Sequence, residues 1–177
     1  MVTFDRFLAR LETSPAEAWI VKGGFALQLR LGGRARTTKD IDVSATNRWT
    51  PDQTMAHLRT AVSLDLRDWF EFEIGAPIEA ATGAPGRGLR FPIRCLLDGR
   101  AFETFHLDVG SGDPVLEAPV VLTAPDLLAF AEITPAAVRC YPLATQIAEK
   151  LHTYTRTYAS GETSRARDLA DILWPPH

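Results

Sequence analysis

The chain has 177 residues, 46% apolar and 23% charged, with a formal net charge of −3. That size and composition suit one soluble domain with a sizeable core and exclude a disordered chain. The slight acidity excludes a general attraction for nucleic acid, so any such contact must come from a local basic patch such as Arg30, Arg34, Arg36 and Lys39.

Phe4, Phe7, Leu8 and Leu11 recur at helical spacing after Thr3, which predicts an amphipathic helix from about Phe4 to Glu12. Trp19 to Val21 reads as a short strand, broken by Gly23-Gly24, with a helix from Phe25 to Leu31 that Gly32-Gly33 stops. A basic loop then leads to the strand Asp40 to Ser44. Pro51 opens a helix with Met55, Leu58 and Val62 on one face. Phe70, Phe72 and Ile74 alternate with Glu71 and Glu73, a half-buried strand. Gly75 to Gly88 is rich in Ala, Gly and Pro and reads as a loop suited to a lid. Asp98-Gly99 between two strand-like runs, Leu89 to Leu97 and Ala101 to Val109, predicts an antiparallel hairpin. A further strand is expected at Val120 to Leu122, a short helix at Pro125 to Phe130, and a longer helix whose apolar stripe is Leu143, Ile147, Leu151, Tyr154 and Tyr158. A last helix follows Ser164, and Trp174-Pro175-Pro176 closes the chain.

Cys95 and Cys140 lack CxxC spacing and a histidine cluster, so they read as free buried thiols. Met1 to Arg10 has no basic stretch followed by an apolar run, and no segment is long and apolar enough to span a bilayer; a cytoplasmic setting and no membrane partner are expected.

Chemistry concentrates in the stretch from Val21 to Val43. Glycines at a strand-to-helix turn let the backbone approach a phosphate, which the helix N-terminus then faces with N–H groups. Strand alternation puts Asp40 and Asp42 on one face, while Ile41 and Val43 go inward. Asp108, on the second hairpin strand, shares its face with His106. Three carboxylates at one sheet edge suit two magnesium ions bridging a nucleoside triphosphate and an attacking hydroxyl. His106 reads more readily as a satisfied sheet histidine than as a contact to metal or nucleotide.

The run Val21-Lys22-Gly23-Gly24-Phe25-Ala26-Leu27, followed by Arg30, Gly32-Gly33-Arg34, Thr38 and Asp40-Ile41-Asp42, resembles the signature of the AbiEii-type nucleotidyltransferases, toxins within the DNA polymerase beta-like superfamily. Gln146-Ile147-Ala148-Glu149-Lys150-Leu151-His152, with Arg165 and Arg167-Asp168-Leu169-Ala170-Asp171-Ile172, is similar to the family's second half. The resemblance implies an α+β fold: a small mixed sheet flanked by helices over residues 1–122, and a helical part over 123–177 that completes the site within one compact unit. It implies metal ligation by Asp40 and Asp42, a role for Asp108 as a further metal ligand or as the base that takes the acceptor proton, phosphate neutralisation by Lys150, and completion of the polar site by Asp168 or Asp171. Lys22, Gly23, Gly24, Arg34, Arg36, Thr38 and Lys39 are expected at the nucleotide, although the basic loop suits an RNA backbone equally. Many superfamily members carry serine where this chain has Gly24. The implied activity is magnesium-dependent transfer of an NMP unit from an NTP to RNA, such as the 3′ end of tRNA, with a cognate antitoxin as partner. A small-molecule or protein hydroxyl is the alternative acceptor, and a non-catalytic nucleotide-binding module is the alternative class.

Overall fold

The computed structural model describes residues 1–13, 19–32, 38–79, 88–111 and 117–155. The elements run α1 (Val2–Thr13), β1 (Trp19–Lys22), α2 (Gly23–Leu31), β2 (Asp40–Ala45), α3 (Pro51–Val62), β3 (Phe70–Ile74), β4 (Ile78–Glu79), β5 (Leu89–Leu97), β6 (Arg100–Ser111), β7 (Val120–Thr123), β8 (Ala137–Cys140) and α4 (Leu143–Thr155). The strands form one mixed sheet in the order β3-β5-β6-β2-β1-β8-β7, with β4 paired to β5 off this path. β2 lies parallel to β6 and β1 parallel to β8, while β1 and β2 are antiparallel. This is the expected α+β architecture.

The Asp98-Gly99 turn forms as predicted. Both residues have positive φ, at 49° and 70°, the conformation that matches a two-residue hairpin to the twist of its strands. A bulge between Cys95 and Leu96 then shifts the β5–β6 register by one residue, so that Arg90 and not Leu89 pairs with Asp108.

The core is built on aromatic contacts under the sheet. Phe4 of α1 packs edge-on against Phe25 of α2 at 5.3 Å between ring centroids, and Phe7 meets Phe72 and Phe105 at the same separation. Such pairs add about 0.5–1.5 kcal/mol each beyond the area they bury. The apolar face predicted for α1 is buried, but so are Asp5, Arg6 and Arg10. Their charges are matched: Arg10 donates through Nη1 and Nη2 to the two carboxylate oxygens of Asp68 at 3.0 and 2.7 Å. Arg6 donates through Nε to Asp5 at 2.8 Å, and Asp5 accepts from the Ala136 amide at 2.7 Å. These bonds tie α1 to the sheet from both sides.

In α3 the face expected from Met55, Leu58 and Val62 turns inward: Leu58 is buried with Thr54 and Ala61, and Met55 and Val62 pack partly covered against the core. Three elements differ from the expectation. Within the presumed loop 75–88, Ile78 and Glu79 pair with Arg90 and Leu89 as strand β4; residues 80–87 lie outside the described residues. Pro125 to Phe130 makes no α-helix; a single 3-10 turn spans Ala129–Ala131 and stops at Glu132, whose φ is 57°. A segment that short gains too few hydrogen bonds to offset nucleation. Strand β8, which alternation alone does not announce, joins the sheet beside β1. Cys95 and Cys140 are free and buried as expected, and burial pushes both thiols up to about 12. Among the described residues no helix is long and apolar enough to cross a membrane.

Candidate active site

The site forms where β1, β2 and β6 lie side by side. From Asp40 to Val43 the residues of β2 alternate between partly and fully buried, so Asp40 and Asp42 share the open face while Ile41 and Val43 are in the core. Antiparallel pairing sets Lys22 opposite Asp42, and parallel pairing sets Asp108 opposite Asp42 and His106 opposite Asp40. Directly paired residues project to the same face of a sheet. The tertiary structure therefore brings Lys22, Asp40, Asp42, His106 and Asp108 together.

β1 passes into α2 without a connecting loop, through Gly23 at φ +65°. The α-carbon of Gly23 lies against Asp42: a Cβ there would meet Oδ2 at 2.0 Å. Glycine at this position thus serves the carboxylate as well as the turn, a requirement that sequence reasoning assigned to phosphate alone. Gly24 occupies the first turn of α2. Thr38 accepts from the Asp40 amide through Oγ1 at 3.4 Å and donates back to the Asp40 carbonyl at 3.1 Å, fixing the entry to β2. Lys39 is exposed. Arg34, Arg36, Asp168 and Asp171 lie outside the described residues.

α4 docks through Gln146, which is 2% exposed and donates through Nε2 to the carbonyl of Gly23. Lys150 lies one turn later on the same side of the helix, close enough to Asp42 for their charges to interact. Arg30 belongs to this joint and not to an open basic patch. Its guanidinium donates to the Ala26 carbonyl at 3.1 Å, to Gln146 Oε1 at 3.1 Å and to the Tyr141 carbonyl. The predicted core stripe of α4 is also revised: Leu143 and Ile147 are partly covered and Leu151 is 50% exposed, because the polar Gln146 makes the buried contact.

Arg90 is the residue that sequence reasoning missed. Its Nε and Nη2 donate to the two oxygens of Asp108 at 2.7 and 2.6 Å, and Nη2 lies 3.9 Å from Asp40 Oδ2. His106 Nδ1 sits 3.4 Å from the other oxygen of Asp40. The charges set Asp42 apart from its neighbours. Burial first, and then the charge of Asp108, push its carboxyl up to about 6, against the opposing pull of Lys22 and Lys150.

Hard oxygen donors on one face match the ligands that magnesium prefers. Asp40 and Asp42 supply them, so the donor chemistry fits a divalent ion. Asp108, however, is gripped by Arg90, and no group of three such side chains converges on a single cation point among the described residues.

The sequence matches the family described as "Nucleotidyl transferase AbiEii toxin, Type IV TA system" over residues 6–174. The chain belongs to this family. Among solved structures, MenT4, a nucleotidyltransferase toxin from Mycobacterium tuberculosis, is similar with a TM-score of 0.64 and 22% identity, over 96% of this chain and 55% of MenT4. The AbiEii-family chain described here thus spans about half the length of MenT4 and shares its fold. ANT(2″)-Ia in complex with adenylyl-2″-tobramycin matches over 97% of this chain and 85% of its own, with 15% identity and a TM-score of 0.47. A comparison with curated proteins gave no match.

Proposed function

We propose that this AbiEii-family chain transfers a nucleoside monophosphate from an NTP to an RNA hydroxyl, such as the tRNA 3′ end, and acts as a toxin held in check by an antitoxin. The observation that carries the reading is the pairing of Asp42 with Lys22 on one side and Asp108 on the other, next to the Gly23 turn. In the reaction the acceptor oxygen bonds to the α-phosphorus, the bond from that phosphorus to the β-phosphate oxygen breaks, and pyrophosphate leaves. Such transfer depends mostly on positioning and charge neutralisation.

Asp40 and Asp42 would hold magnesium, which when bound neutralises the phosphate oxygens and polarises the α-phosphate. Lys22 and Lys150 flank Asp42 and add positive charge for the triphosphate. The first-turn amides of α2 face the phosphates. Asp108, paired with Asp42, would accept the acceptor proton or serve as a further metal ligand. Asp168 or Asp171, with Arg34, Arg36, Thr38 and Lys39, would complete the polar surroundings. The toxin reading is supported by the family match, and RNA as acceptor is supported by the basic residues of the 34–39 segment.

The test is incubation with each of the four α-labelled NTPs, magnesium and total tRNA. Label enters tRNA with the wild type and not with Asp42→Ala. Transfer to no tRNA, but to an aminoglycoside or a protein, would replace the acceptor; no transfer to anything would sink the enzymatic reading.

A further inference from the structure

Two prongs of the Arg90 guanidinium take both oxygens of Asp108, the strong parallel geometry by which arginine binds a carboxylate. The same guanidinium reaches toward Asp40, so a cationic group stands between the two carboxylates. A metal ion beside Asp108 would compete for these lone pairs and for this space.

Both partners are reachable. Side-chain exposure is 39% for Arg90 and 24% for Asp108, so the arginine can swing outward from β5 without opening the core. A triphosphate offers the same planar fork a more highly charged set of oxygens than one carboxylate does.

We propose that Arg90 is a positioning residue that holds the third carboxylate closed until a nucleotide arrives. Without nucleotide, Arg90 occupies Asp108 and a single divalent ion binds at Asp40 and Asp42. With nucleotide, the triphosphate draws Arg90 onto its oxygens, and Asp108 is released to hold a second ion. The order of assembly is thereby set: first ion, nucleotide, second ion. This inference rests on the metal-dependent transfer proposed above, and it adds the device that prevents both ions from loading onto an empty site.

The test counts Mn2+ per chain by calorimetry and by the loss of the free-ion electron paramagnetic resonance signal, with and without a non-hydrolysable NTP analogue. Wild type is expected to bind one ion alone and two with the analogue. Arg90→Ala is expected to bind two without the analogue, the second at least about tenfold tighter than in wild type, since the competing charged hydrogen bonds are gone. Arg90→Lys keeps the charge but loses the fork, and is expected to take a second ion more weakly than Arg90→Ala. Thermal melts confirm that the variants fold. Two ions in the wild type without nucleotide, a single ion in Arg90→Ala, or an Arg90→Lys protein that behaves as wild type would each overturn the proposal. If no variant binds Mn2+ under any condition, the metal reading of Asp40 and Asp42 falls and takes this one with it.

Discussion

The α-carbon of Gly23 and the carboxylate of Asp42 are packed in direct contact, with no room for a methyl group between them. Gly23→Ala must therefore push Asp42 off its position, and it also places an L side chain at φ +65°. The backbone strain costs about 1–2 kcal/mol. Mn2+ titration is expected to show weaker binding at the Asp40–Asp42 pair, with a modest fall in melting temperature. Unchanged ion affinity would mean that the turn serves phosphate approach alone.

Asp42 makes the site pH-dependent in a definite direction. Its carboxyl is raised from 3.8 to about 6, so between those values the folded chain holds a proton that the unfolded chain has released. Stability from this group is greatest below that window and falls as pH rises through it, by on the order of 2–3 kcal/mol. Asp42→Asn removes the buried charge. In the presence of a chelator it should melt several degrees above wild type near pH 8, with the gap closing near pH 4. Protons also compete with metal, so wild-type Mn2+ affinity should fall by about tenfold per pH unit below about 6. An Asn variant no more stable than wild type at alkaline pH would show that the carboxylate is better solvated than its surroundings indicate.

The buried pair Arg10–Asp68 carries no chemistry, and its loss should register in stability alone. Asp68→Ala strands the guanidinium of Arg10, which is 1% exposed, and is expected to cost about 3–5 kcal/mol in denaturant unfolding. Replacing both residues with apolar side chains of similar size should recover much of that loss. A double variant as unstable as the single one would argue against the stranded charge as the cause.

Arg30 offers a contrast between a structural and a nucleic-acid role. It bonds to Ala26, Tyr141 and Gln146, so Arg30→Ala should lower stability by about 2 kcal/mol and loosen α4. The salt dependence of tRNA binding should stay the same, because a residue that touches no phosphate releases no counterion. A salt slope reduced by about 1 would return Arg30 to the RNA-binding surface.

The alternation of Asp40-Ile41-Asp42-Val43, the glycine pair after an apolar strand and the Asp98-Gly99 turn each depend on neighbouring residues, and each was legible in the sequence. Strand periodicity fixes which side chains share a face, and turn chemistry fixes where a hairpin folds. Other features depend on distant residues. An unbroken ladder from the Asp98-Gly99 turn would set Leu89 against Asp108. The bulge at Cys95/Leu96 makes it Arg90, and one residue of register exchanges an apolar partner for a guanidinium. Arg30 reads as part of a basic patch until α4 folds back onto α2, where Gln146 accepts from Arg30 and donates to the Gly23 carbonyl. Strand β8 has too short a pattern to declare itself, and its place comes from the edge that β1 leaves open. The sequence by itself determined the carboxylate face and the glycine turn, since both follow from backbone geometry within a few residues. Only the tertiary structure decided which cations stand against those carboxylates, because charge pairing depends on distance in space and not along the chain.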